Sequence, residues 1–287
     1  MGFPAGHPVV DTMIGFPQPG DGQYDFIRRQ TKDRESREEM RFPAEYMFKQ
    51  VPHDLPTDDP IAVTLAQMDH FGIAQGLVGL GTETAQRAVT LHPDRFVGCS
   101  SLDPNQGMAA IRQLVAEYEG FGSRAVSLFP AGAFPQVPIN DKKMYPIYAK
   151  CVELGIPAFV CAGVPGPRLP MAAQHVELID EVMYDFPELV LVTRHGCEPW
   201  TDLAVKLMLK WPGLHYSTSA FAPRHYPKAI VDYANTRGAD KIIYAGYFPM
   251  GLSLDRIFGD LPQVPFKDEV WPKFLAGNAR RVLGLAD

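Results

Sequence analysis

Apolar residues along this chain fall into two alternating arrangements. Short continuous runs of apolar and β-branched residues occupy 8–15, 74–80, 96–102, 125–129, 158–161, 190–193, 214–218 and 241–245, bounded by Gly, Pro or polar clusters. Runs without polar alternation suit parallel strands buried on both faces. Between them, apolar residues return every three or four positions at 61–71, 82–92, 108–118, 144–154, 176–184, 203–210 and 228–235, with a helical tail through Val282. That spacing predicts amphipathic helices. Eight strands, each followed by a helix at intervals of roughly 25 to 35 residues, are βα units. Such a set closes naturally into an α/β fold of the (β/α)8 TIM-barrel type. The alternative is an open doubly wound sheet, which calls for a glycine-rich phosphate loop after the first strand. Gly15-Phe16-Pro17-Gln18-Pro19-Gly20 does not match G-x-G-x-x-G.

One stretch breaks the rhythm. Residues 16–59 carry no clear strand and are rich in charge and Pro; within them, 28–41 is a mixed-charge run of good helix formers, read as a solvated helix face. A connection this long inside a compact domain is often a lid or binding loop. Residues 1–287 are therefore read as one barrel domain with an insertion after the first strand.

Composition narrows the function classes. Hydrophobic residues make up 46% and charged residues 21%, as in an ordinary soluble globular protein, so a cytoplasmic location is expected. A net charge of −6 with mixed signs gives no basic footprint for nucleic acid. No apolar run is long enough to cross a membrane. Residues 1–7 lack a basic n-region and an apolar h-region, so no signal peptide is expected. Position 6 is not Ser or Thr, which makes Gly2 a poor myristoylation site. The four cysteines, Cys99, Cys151, Cys161 and Cys197, form no C-x-x-C pair and read as reduced thiols. Whether the chain forms a homo-oligomer is left open.

In a barrel, chemistry sits at the C-terminal ends of the strands. The charged residues expected there are Asp11 after strand one, Arg168 in the loop after strand five, Arg194 and His195 after strand six, and Arg224 and His225 after strand seven; Met13, Cys161 and Tyr247 also stand at strand ends. Guanidinium groups bind carboxylates bidentately, so Arg194, Arg168 and Arg224 suit a small anionic substrate. His195 is the candidate general acid or base, with Asp11 as a carboxylate that could tune it. Each residue also has a bland reading: a packed histidine, or arginines solvated on loops. Cys161 has no basic neighbour in Phe159-Val160-Cys161-Ala162-Gly163, so a buried, inert thiol is expected. No H-x-H, H-E-x-x-H or Cys/His cluster with zinc spacing is present.

Four segments carry a resemblance to a known family: His195-Gly196-Cys197-Glu198-Pro199-Trp200, Tyr216-Ser217-Thr218-Ser219-Ala220, 241–249 (KIIYAGYFP) and 277–285 (GNARRVLGL). They resemble the H-x-G-x-P-W, Y-x-D-T-S-A, D-K-I-L-F-G-S-D-Y-P and G-N-A-x-R-L-F-G-L segments of the amidohydrolase-related (β/α)8 barrels. That family includes aminocarboxymuconate-semialdehyde decarboxylase, resorcylate-type decarboxylases and pyrone-dicarboxylate lactonase, and the likeness spans 9–285. The resemblance implies a divalent metal held by a first-strand D-x-H-x-H, a strand-five histidine and a strand-eight aspartate. This chain keeps Asp11 but has Met13, Gly15, Cys161 and Tyr247 at the ligand positions; the strand-six His195 survives. Gly has no ligating side chain and Met is a soft ligand unsuited to zinc or manganese. The expectation is a metal-independent hydrolase or carbon–carbon lyase of the decarboxylase type, with His195 moving the proton, Tyr247 assisting and no cofactor. Two alternatives stand beside it: a catalytically inactive ligand-binding barrel, and a hydrolase that binds zinc or manganese through other ligands such as His195, His225 and a loop acid.

Overall fold

A computed structural model describes Pro4, residues 6–20 and residues 22–286. The expectations about Met1, Gly2, Phe3 and Ala5 lie outside the described residues. Eight strands form one parallel sheet in chain order: β1 (Val9–Asp11), β2 (Ile73–Gly79), β3 (Phe96–Ser101), β4 (Ala125–Leu128), β5 (Ala158–Cys161), β6 (Leu191–Arg194), β7 (Leu214–Ser217) and β8 (Ile242–Ile243). Hydrogen bonds join its two ends. Thr12 donates from N and Oγ1 to the Tyr244 carbonyl at 3.4 and 2.8 Å, and the Gly246 N–H donates to Asp11 Oδ1 at 2.8 Å. The fold is a TIM barrel.

The helices are α1 (Asp25–Arg28), α2 (Pro60–Phe71), α3 (Glu83–Leu91), α4 (Met108–Phe121), α5 (Tyr145–Leu154), α6 (Leu178–Asp185), α7 (Thr201–Lys210), α8 (Lys228–Ala234), α9 (Leu254–Asp260) and α10 (Asn278–Leu283). Their ends follow from side-chain chemistry. Asp59 and Thr82 accept the Ala62 and Ala85 N–H groups as N-caps of α2 and α3. Gly122 and Gly155 end α4 and α5 in the left-handed conformation that a side chain disfavours.

Strand alternation divides the apolar residues between two cores. Val9, Val78, Val126, Val160 and Leu191 join the helices in the outer core. Val10, Leu77, Val97, Phe159, Val192 and Ile243 fill the barrel interior, together with Ala279, Val282 and Leu283 of α10. The C-terminal helix thus completes the packed interior, leaving the opposite end of the strands for a site.

Three expectations need correction. β1 and β8 are shorter than 8–15 and 241–245, because the chain leaves the sheet there to form loops over the mouth. The tail is not one helix but α9, a π-helical turn at Lys273–Gly277 and α10. The 28–41 run is not a solvated helix. It begins at Arg28, the last residue of α1, and contains a π-helical turn at Glu35–Glu39, while Arg28 turns back to the Met40 and Arg41 carbonyls at 3.1 and 2.9 Å. Thr31, Ser36 and Met40 in this run are buried. Its residues serve tertiary contacts that helical periodicity does not encode.

Candidate functional site

At the C-terminal end of the barrel lies a cavity of about 1900 Å³. Its floor comes from strand ends: Cys99 of β3, Ser127 of β4, Cys161 of β5, and Arg194 and His195 of β6. Its roof comes from the insertion, with Tyr24, Ile27, Phe42 and Phe48 facing inward. The 16–59 segment therefore covers the mouth. Gln30 Nε2 donates to the Gly132 carbonyl at 2.7 Å and Tyr46 Oη to the Gly166 carbonyl at 2.7 Å, tying it to the loops after β4 and β5. Arg256 Nη1 donates to the Lys49 carbonyl at 2.9 Å, tying it to α9.

Arg194 ends β6 on the inward side of the sheet, one alternation beyond Val192, so its side chain enters the barrel mouth. It is only 6% exposed. Nη1 donates to Ser127 Oγ at 2.8 Å and Nη2 to the Thr12 carbonyl at 3.2 Å, while Nε has no partner. The guanidinium carbon lies 4.8 Å from the Phe159 ring centroid. Among the described residues, no carboxylate forms an ion pair with it.

The next residue turns sharply. His195, Gly196 and Cys197 have φ values of 65°, 89° and 58°, a left-handed turn in which two positions are not glycine. Such strain persists only where surrounding structure holds it, and it collects at functional sites. Gly163 from the β5 loop packs against this turn so closely that a Cβ would stand 2.8 Å from the Cys197 carbonyl carbon. The turn swings the His195 ring onto the cavity wall, with Nδ1 3.3 Å from Ser219 Oγ and ring centroids 5.5 Å from Tyr247 in an edge-on contact. Burial, reinforced by the Arg194 charge, pushes the imidazole down to about 3. His195 is neutral at physiological pH. Tyr247 is held between Phe48, stacked at 5.6 Å, and Phe42, edge-on at 5.9 Å, and burial pushes its phenol above the ordinary range. It is a hydrogen-bond donor rather than a phenolate.

The remaining predicted residues divide. Met13, Cys161, Arg224 and His225 line the cavity with Arg194, His195 and Tyr247. Arg224 is already committed, donating to both oxygens of Asp260 at 2.8 and 2.6 Å. Burial raises the Cys161 thiol to about 12, in keeping with an inert cysteine. Arg168 stands outside the cavity, paired with Asp33 at 2.6 Å and Glu35 at 2.7 Å; it fastens the insertion. Asp11 lies below the floor, fully buried, accepting the Met13 and Gly246 N–H groups through Oδ1 while Oδ2 has no partner. Burial raises its carboxyl to about 6. Asp11 clasps β1 to the end of β8 and does not face the cavity.

Sequence reading missed the aromatic roof and the partners of Arg194. The recurrence of aromatics at Tyr24, Phe26, Phe42, Tyr46 and Phe48 in an otherwise polar insertion was the available signal. The Ser127 and Thr12 contacts cross the barrel and leave no local trace.

Comparison with known proteins places the chain in a family. Residues 6–285 match the amidohydrolase family. The chain belongs to it. An uncharacterised TIM-barrel protein of Bordetella bronchiseptica superposes with a TM-score of 0.76 at 23% identity, over 96% of this chain and 98% of that one. The 5-carboxyvanillate decarboxylase of Novosphingobium aromaticivorans, solved with manganese and 4-hydroxy-3-methoxy-5-nitrobenzoic acid, superposes with a TM-score of 0.66 at 16% identity, over 98% and 97%. A 2-keto-4-carboxy-3-hexenedioate hydratase of Sphingobium is 29% identical over 128 residues, 38% of this chain. The matched part spans 37% of that hydratase's length. The chain thus resembles a decarboxylase in fold and, over part of its length, a hydratase in sequence. Among the described residues, no helix is long and apolar enough to cross a membrane.

The residues present do not fit the divalent metal that the resemblance implies. Met13, Gly15, Cys161 and Tyr247 offer a soft thioether, a thiol that stays protonated and a phenol that does the same. Among the described residues, no three His, Cys, Asp or Glu side chains converge to form a metal site. The alternative set of His195, His225 and a loop acid is therefore not assembled.

Proposed function

We infer that this barrel is a metal-independent, base-catalysed enzyme that adds water to an anionic, ring-derived or unsaturated carboxylate, by hydrolysis or hydration. The observation that carries this reading is a neutral His195 imidazole beside a fixed guanidinium in one cavity. A neutral imidazole has a ring nitrogen free to accept a proton from water; burial and the Arg194 charge weaken it as a base in the empty site, and the negative charge of an entering anion raises its basicity toward the working range. In the tautomer that serves as base the proton stays on Nδ1, on the Ser219 side of the ring, and Nε2 is left for the water. Hydroxide then adds to a carbonyl or conjugated carbon of the substrate. Tyr247 Oη donates a hydrogen bond to the oxygen on which charge develops. Imidazolium returns the proton to the leaving oxygen or to carbon, which closes the cycle.

The cavity wall supports the anionic substrate. Besides the Asp260-paired Arg224, the cations Arg29, Arg41, Lys49, Arg194 and Arg256 line it, against Asp103 and Glu198, while aromatic residues offer apolar faces for a ring. These polar, titratable groups in a formed pocket favour an enzyme over an inert binding barrel.

Carbon–carbon lyase chemistry is the second reading. It is favoured by the apolar lining at Leu77, Phe129 and Cys161, beside which a carboxylate turned away from Arg194 is poorly solvated and more ready to leave as carbon dioxide. One experiment separates the two. The purified protein is incubated in oxygen-18 water with a panel of aromatic carboxylates, unsaturated tricarboxylates and carboxylated lactones, and the products are read by mass spectrometry. Gain of one labelled water supports water addition; loss of carbon dioxide without label overturns it in favour of the lyase. No turnover of any member supports the binding barrel.

A further inference from the structure

Arg194 is an unusual charge. A guanidinium keeps its proton where an amine would shed it, so burial cannot neutralise this group. It sits 6% exposed at the barrel mouth, and no carboxylate pairs with it among the described residues. The acid whose charge acts on it, Asp11, is itself raised to about 6 by burial and spends Oδ1 on backbone N–H groups. Ser127, Thr12, the protonated Cys99 thiol and the Phe159 face supply only dipoles and a ring quadrupole, and Nε has no hydrogen-bond partner. A buried cation without a counter-charge is a standing cost in the free protein. The site becomes electrically complete when an anion enters it.

The placement adds a second point. The guanidinium reaches across from β6 to β1 and β4, and its charge acts on Asp11, Cys161, His195 and Tyr247 alike. Its charge therefore reaches Cys161 and Tyr247, two of the positions where the divalent metal does not fit, and it lines the same cavity as the other two, Met13 and Gly15.

We propose that the Arg194 guanidinium is the resident cation of this site, receiving the reacting carboxylate or enolate oxygen directly and supplying the positive charge that a metal ion would supply there. The proposal rests on the reading of the cavity as an anion-processing site. It goes further in assigning the charge to one side chain. The anchoring is directional: Ser127 and Thr12 hold the two Nη atoms, so the planar fork meets the substrate in one orientation. A lysine ammonium in its place would offer a point charge without the fork, so the Arg194→Lys variant keeps attraction but loses orientation.

Binding tests this without needing turnover, so its failure is distinct from failure of the proposed reaction. The probes are 4-hydroxy-3-methoxy-5-nitrobenzoate and the corresponding benzyl alcohol, both followed by their nitrophenol absorbance on titration with the full-length protein. After treatment with a chelator, with metal content checked by elemental mass spectrometry, the wild type is expected to favour the carboxylate over the alcohol by at least about tenfold. Arg194→Met is expected to lose roughly thirtyfold or more in carboxylate affinity, with the alcohol unchanged, and added guanidinium ion to restore part of the loss. A wild type without carboxylate preference, a preference that appears only with added manganese or zinc, or a preference that survives in Arg194→Met overturns the proposal. Should Arg194→Met fail to fold, the chelated wild type and Arg194→Lys still decide it. In Arg194→Lys a retained but weakened preference supports the resident cation, and an unchanged one refutes the oriented fork.

Discussion

Arg194 and His195 are adjacent in the chain and opposite in chemistry, and the strained turn between them makes both useful. The strand delivers Arg194 into the barrel, while the left-handed φ of 65° at His195 sends the imidazole to the wall beside Tyr247. The guanidinium helps to keep the imidazole neutral. A pH profile should show this. With its folded value near 3, His195 remains a base across the acidic range, so kcat/KM should show no histidine limb near its ordinary value of 6.5. A clear limb there, removed in His195→Gln, would contradict the assignment. His195→Ala should lower kcat by at least about a hundredfold, with partial rescue by imidazole. Tyr247→Phe should lower it by more than about tenfold with KM little changed, as expected for a donor that acts on developing charge. Unchanged rates in both variants would sink the proton-transfer scheme.

At the scale of elements, the site is a barrel mouth closed by an insertion, and each part has its own fastening. The Arg168 pairs with Asp33 and Glu35 are surface-exposed, and exposed ion pairs add little to global stability. They matter locally. Arg168→Ala should leave the melting temperature nearly unchanged, accelerate amide hydrogen exchange across 22–48 and raise KM more than it lowers kcat. Unchanged exchange in that segment would show that Tyr46, Gln30 and Arg256 hold the roof unaided. The turn after β6 is fastened from the other side by Gly163, whose φ of 97° and close approach to Cys197 leave no room for a side chain. Gly163→Ala should cost about 1–3 kcal/mol and shift the His195 ring, lowering kcat as well as stability. The barrel elements were legible in the sequence because strands buried on both faces and helices buried on one leave distinct periods. The insertion was not, since its turns answer to Gly132, Gly166 and Arg256 far away in the chain.

The same divide runs through the molecule as a whole. Strand ends place residues at the mouth, so His195, Arg194, Tyr247, Cys161 and Met13 could be named in advance. Which side chains enter the cavity depends on partners from other strands, so Asp11 beneath the floor and Arg168 on the roof's outer edge could not be separated from them. Burial of these groups makes overall stability depend on pH in opposing ways. His195 and His215 are both pushed to about 3, His215 with an unpartnered Nδ1 on β7. The unfolded chain takes up their protons below the ordinary 6.5 while the folded chain refuses them until about 3, so acidification through that window destabilises the fold. Asp11 acts in reverse. Folded, it binds a proton at about 6, against 3.8 when unfolded, so acidification between these values favours the folded state. Two histidines outweigh one carboxyl, and stability should decline gently from about pH 6 and more steeply once Asp11 ceases to compensate, below its unfolded value of 3.8. Urea unfolding as a function of pH gives the slopes. Asp11→Asn should steepen the decline between pH 6 and 4 and His215→Gln should flatten it, whatever either does to stability at neutral pH. Slopes indistinguishable from wild type in both variants would mean that these buried groups titrate as they do in the unfolded chain.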